Sequence, residues 1–124
     1  MNSDALLILG GIFNLVFAVF HLSFWRIFNW QQDLKPLRYV NRALMQILNL
    51  CLTFVFFIFA YISFSYTYDL LITRLGHSII ASISVFWFLR AFMQVAFFGL
   101  KNKTSILFFV LFLIGGVLYI YPLV

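Results

Sequence analysis

Ionisable and amide side chains are scarce in this sequence, so the few that interrupt its apolar runs carry most of its chemical information. Arg90 stands in the stretch Phe-Leu-Arg-Ala-Phe-Met-Gln, which places Gln94 at i+4 on the same face of a helix. Asn14 and His21 are seven residues apart, again one helical face. Arg42, Gln46, Asn49 and Thr53 follow one another at spacings of 4, 3 and 4, a continuous polar stripe at helical period. A guanidinium is permanently charged and offers a fork of N–H donors, while amides and an imidazole orient whatever it holds. Together these groups suit an anionic or polar small molecule, a lipid headgroup or a permeating anion.

What makes Arg90 informative is the shortage of anything to neutralise it. The chain contains no glutamate, and its three aspartates, Asp4, Asp33 and Asp69, lie near the N-terminus or in connections. A central arginine costs roughly 2.5–3.5 kcal/mol to insert in a bilayer. Its options are amides, backbone carbonyls, aromatic faces, an acid of another subunit, or a bound anion. Counting inward from the ends of the apolar runs puts Asn14, Asn49, Thr53 and Arg90 near one level. His21, Gln46 and Gln94 then fall closer to the basic loops. The expected ligand-binding set is Arg90, Gln94, His21, Asn14, Arg42, Gln46 and Asn49.

Other chemistries lack their residues. His21 and His77 lie near opposite ends of their predicted helices, so they do not form an axial pair for one haem. With Arg74 and Asp69, His77 is expected in a solvated cluster at the rim. Two separated histidines and the single Cys51 meet no metal-ligand spacing, so neither a metal nor a cofactor is expected. Cys51, within Leu-Cys-Leu, reads as a small core hydrophobe. There is no Gly-x-Ser-x-Gly elbow, no acid to orient a histidine, and no phosphate loop. Ser82 and Ser84 are expected to bond back to their own helix. The eighteen phenylalanines read as core filler and lipid-facing surface.

These residues must be positioned by an all-α, integral membrane four-helix bundle, running up-down-up-down with both termini outside. Of the 124 residues, 65% are hydrophobic and 9% charged, against about half and a quarter in soluble domains. Four stretches, residues 6–25, 43–62, 70–100 and 106–122, reach the roughly 20 residues that cross a hydrocarbon core. They fill residues 1–124 as a single domain. The first lacks a basic leader and is too long for a signal peptide, so it is expected to remain. Asp69 or Thr67 is expected to cap the third helix, and a hydroxyl of Lys-Asn-Lys-Thr-Ser the fourth. Gly10-Gly11 and Gly115-Gly116 mark close helix packing.

Loop charge sets the orientation. Arg26, Lys35, Arg38, Arg42, Lys101 and Lys103 fall on one side and Arg74 alone on the other, so the basic loops are expected in the cytoplasm of a plasma or inner membrane. Trp25, Trp30 and Tyr39 at one edge, and Tyr61, Tyr66, Tyr68, Tyr119 and Tyr121 at the other, read as interfacial belts. The net charge of +5 is topology and anionic-lipid contact; no continuous basic face exists for nucleic acid. If Leu100 marks the inner edge, Arg90 lies ten residues deeper, about 15 Å. If the long third helix slides instead, Arg74 and Arg90, about 24 Å apart, each snorkel to an interface.

Three functions follow. The first is a cytoplasm-facing site that binds or conducts an anionic or polar small molecule or lipid. The second is an accessory subunit, in a homo-oligomer or larger complex, with Arg90 paired to a partner's acid. The third is an intramembrane enzyme using His21, although no catalytic set is assigned.

Overall fold

The computed structural model describes residues 2–124, and all of its regular structure is helical. The long helices are α1 (Ser3–Leu22), α4 (Tyr39–Ser65), α6 (Arg74–Phe98) and α7 (Lys103–Ile120). Between them lie α2 (Phe24–Ile27), α3 (Trp30–Asp33) and α5 (Thr67–Ile72), and a 3₁₀ turn, Tyr121–Leu123, ends the chain. Four helices are long and apolar enough to cross a membrane. The surface is correspondingly greasy: Phe54 is 65% exposed, Val85 63% and Phe97 83%. An apolar exterior this extensive is foreign to soluble monomers.

Side-chain chemistry explains where each helix starts and stops. The Asn2 side chain accepts from the Ala5 N–H at 2.8 Å and opens α1. Its end is closed by Ser23, whose hydroxyl and N–H both return to the Val19 carbonyl. The connection is residues 23–38 rather than the predicted 26–42, and it contains the single turns α2 and α3, hinged at Asn29, which adopts the left-handed conformation (φ 50°) that asparagine tolerates. The third predicted span breaks. Thr73, extended at φ −105° and ψ 154°, accepts from the Gly76 N–H at 2.8 Å, so Thr73, not Asp69 or Thr67, caps α6. A Cβ on Gly76 would collide with the Leu70 backbone, so glycine lets α5 fold against the start of α6. Gly99, at φ 73°, ends α6. The cap of α7 is the Asn102 amide oxygen, accepting from the Thr104 N–H at 2.7 Å, rather than a hydroxyl.

α1 packs against α4, α6 against α7, and α1 against α7, each pair antiparallel, since Gly11 meets Phe64 and His21 Asn49, Ser84 meets Gly116 and Gln94 Ser105, and Gly10 meets Tyr119 and Phe20 Phe108. The core is a block of aromatic rings around Trp87, which is fully buried. Trp87 stacks between Phe56 (centroids 5.2 Å apart) and Phe112 (5.8 Å), with Phe13 edge-on at 4.8 Å and Phe17 at 5.1 Å. Each such pair adds about 0.5–1.5 kcal/mol beyond area burial. The glycine pairs seat aromatic rings: a Cβ would meet Tyr119 at Gly10, Phe64 at Gly11, Phe13 at Gly115 and Phe88 at Gly116, all at 2.5–2.6 Å. Ser84 donates across to the Gly116 carbonyl at 2.7 Å, tying α6 to α7 instead of bonding to its own helix as expected; Ser82 does bond back, to Ser78. Cys51 is exposed on the outer face of α4 rather than in the core. Trp30, expected at an interface, is buried.

Candidate functional site

Below the aromatic block, toward the basic loops, the helices part around a cavity of about 470 Å³. That is within the range of small-molecule sites, roughly 300–1,000 Å³. Phe17, Phe20 and His21 of α1 line it, with Phe24, Phe28 and Trp30 of the connection that follows. Leu52 and Phe56 come from α4; Phe86, Trp87, Arg90, Gln94 and Phe98 from α6; and Asn102, Thr104, Ser105, Phe108 and Phe112 from the last turn and α7. The result is an aromatic chamber with a few polar atoms at one end.

Arg90 is half-buried. Its guanidinium carbon lies 4.4 Å from the centroid of the Phe112 ring. Among the described residues it has no hydrogen-bond acceptor and no carboxylate within ion-pair reach. A cation over a ring face recovers about 0.5–2 kcal/mol, which offsets only part of the cost of leaving water. The five N–H donors of the fork remain to be used. The break at Thr73 leaves Arg74 on the first turn of α6, with Arg90 eight residues before its end, about 12 Å.

His21 is held by Asn49. The Asn49 Nδ2 donates to the His21 backbone carbonyl at 2.9 Å, which fixes the amide orientation and turns its Oδ1 toward the ring. His21 Nδ1 therefore carries the hydrogen and donates to that oxygen at 2.8 Å. In the neutral ring Nε2 is an acceptor, and no protein donor among the described residues reaches it. Phe24 lies against the ring at 4.3 Å and Phe56 edge-on at 5.1 Å, keeping it in place. Gln94, 4% exposed, donates to the Ser105 hydroxyl at 2.9 Å, and Ser105 donates on to the Gly99 carbonyl at 2.6 Å. Among the described residues no donor reaches the Oε1 of Gln94.

Of the seven residues named from sequence, Arg90, Gln94 and His21 line this cavity, and Asn49 supports it from behind His21. Three do not reach it. Arg42 donates to the Lys35 and Leu37 carbonyls at 3.4 and 3.5 Å, beside the Tyr39 ring. Gln46 donates to the Arg42 carbonyl at 3.1 Å, within its own helix. Asn14 sits two turns from His21, bonded to the Gly10 carbonyl at 2.9 Å and the Tyr119 hydroxyl at 2.8 Å. α1 ends three residues sooner, and α4 begins four sooner, than their apolar runs imply, so α4 extends well past the end of α1 and depth counted from helix ends misplaces their residues. The hydrogen bonds place His21 level with Asn49, and Asn14 in the other half beside Tyr119. His77 bonds the Leu71 carbonyl at 2.7 Å and forms no ion pair with Asp69.

The chamber walls were the part missed. Phe17, Phe20, Phe24 and Phe28 recur at spacings of 3, 4 and 4, and Trp87, Arg90, Gln94 and Phe98 at 3, 4 and 4, so each set shares one face. The aromatic face was legible; that it encloses space was not. No group of three or more His, Cys, Asp or Glu that could hold a metal ion occurs among the described residues. Comparison with family models, with curated proteins and with solved structures finds no match.

Proposed function

We propose that this chain is an integral membrane protein, basic loops in the cytoplasm, whose chamber binds an amphipathic molecule with an anionic head. The observation that carries this reading is the half-buried guanidinium of Arg90, opposed by an aromatic face and no acid, inside a cavity of about 470 Å³. An anion there gains charge-assisted hydrogen bonds, roughly twice as strong as neutral ones. His21 Nε2 and Gln94 Oε1 add acceptors beside that donor fork. The complement is a head with both an anionic oxygen and a hydroxyl. A phosphate monoester in its monoanionic form, which its second ionisation at about pH 6 keeps accessible, supplies both. The aromatic walls take an apolar body.

Binding is favoured over conduction because the Phe17, Phe56, Trp87 and Phe112 rings close the bundle axis beyond the chamber. The position of Arg90 inside the chamber favours a ligand over a partner subunit's acid. For catalysis by His21, the only side chain among the described residues bonded to the ring is the Asn49 amide, which neither gives nor takes a proton.

Native mass spectrometry of the protein extracted in detergent tests the reading. Wild type is expected to carry an anionic adduct that Arg90→Ala loses, and Arg90→Lys, with charge but no fork, is expected to retain less of it. Identical adduct-free spectra for wild type and Arg90→Ala, even after incubation with hexadecyl phosphate, would overturn it.

A further inference from the structure

A second, shallower depression lies across the Phe86 ring from the chamber. α4 and α6 meet through the rings of Phe56, Phe59, Phe86 and Trp87, but their backbones stay apart, unlike those of the pairs α1–α4 and α6–α7. Along this seam, past the aromatic block, runs an open groove floored by Phe59, Leu75, Ile79, Ile83 and Phe86, with Ser78 and Ser82 leaving it unfilled. Phe86 lines both the groove and the chamber. The Ser82 hydroxyl is turned into its own helix, donating to the Ser78 carbonyl at 2.7 Å, so it does not break the apolar trough. From Arg90 to Ser78 is twelve residues of α6, about 18 Å, directed away from the basic loops.

We infer that this seam seats the hydrocarbon chain of the molecule whose head Arg90 binds, making the ligand a long-chain membrane amphiphile, of the alkyl or prenyl phosphate type, that enters from the side. The inference rests on the chamber reading above and adds the tail. Charge fixes the head at Arg90, and the groove adjoins the head site across the Phe86 ring, the one described residue that lines both, so a chain that passes this ring reaches the groove. The direction fits as well: a head toward the basic side and a chain running inward is how a lipid of that leaflet lies. A water-soluble anion would leave the groove without a role.

Photolabelling in phosphatidylcholine nanodiscs separates the two readings. One hexadecyl phosphate probe carries a diazirine beside the phosphate, the other at the chain terminus. The head probe is expected to label chamber residues such as Phe20 and Phe108, and the tail probe Ser78 and Ile79. Excess unlabelled hexadecyl phosphate suppresses both. Ser82→Trp, at an exposed position, fills the trough and is expected to cut tail-probe labelling of the seam at least tenfold, while butyl phosphate still competes with the head probe. Competed head labelling with tail labels in the chamber, or scattered over the outer surface, overturns the tail assignment and leaves the chamber reading intact. Absence of competed labelling by either probe overturns both.

Discussion

At one end of the bundle Asn14, Tyr119 and Ser63 close a chain of hydrogen bonds, whereas at the other Arg90, His21 and Gln94 each keep an atom without a partner among the described residues. The direction of the first chain is fixed by its end. Ser63 donates to the Phe59 carbonyl, so Tyr119 donates to Ser63 and the Asn14 amide donates to Tyr119, at 2.7, 2.7 and 2.8 Å. One buried atom there, Asn14 Oδ1, stays unmatched and sealed in by packing. Nearby, Gly10 admits the Tyr119 ring and leaves no room for a ligand. In the second region the unmatched atoms border open space, and the rings form walls rather than fill. Polar residues at similar spacing thus serve opposite ends: one set joins helices, the other faces a chamber.

The sharpest way to break this contrast is at the wall between the regions. Trp87→Ala removes the ring that Phe56 and Phe112 stack on, and is expected to cost about 3–5 kcal/mol, read by thermal or denaturant unfolding in micelles. A loss under about 1 kcal/mol would mean that the aromatic block is not the core. Next comes the closed end. Gly10→Ala puts a methyl against a Tyr119 ring that is fully buried and tied by two hydrogen bonds, so it cannot swing aside. About 1–3 kcal/mol of destabilisation is expected, with hexadecyl phosphate binding unchanged. Tyr119→Phe deletes the middle of the chain and leaves the packing, at about 1 kcal/mol for its two interhelical bonds. A lowered affinity for the phosphate in either variant would show that the regions are coupled rather than separate.

The sequence carried the architecture further than the site. Length and hydropathy gave four apolar helices, and Arg90, Gln94 and His21, picked out by their spacing, line the cavity, whereas Asn14 of the same stripe as His21 does not. Helix ends were harder, because apolar runs report what lipid tolerates and not where backbone bonds stop. Thr73 splits an apolar run through a side-chain cap, and Leu22 ends α1 inside one. Helix ends do not lie at one level, since α4 extends past the end of α1, so counting from them could not foresee that Asn49 meets His21 and Asn14 meets Tyr119. The phenylalanines hid their role for a related reason. Composition cannot distinguish a ring that fills space from one that borders it, since that depends on the separation of α4 and α6.

The smallest expected effect on the empty protein is the most telling about the second region. A cation that holds the bundle together should be missed when removed; one that waits for a ligand should not. Arg90→Met keeps much of the side-chain volume, drops the charge and its desolvation cost, and breaks no hydrogen bond among the described residues. Ligand-free protein is therefore expected to be as stable as wild type or slightly more so, as when buried charges give way to apolar residues. Hexadecyl phosphate at 100 times its dissociation constant should stabilise wild type by about 2.7 kcal/mol and leave Arg90→Met unmoved. If the empty variant instead loses several kcal/mol, Arg90 is a structural element with an internal partner, and the contrast between the two ends of the bundle disappears.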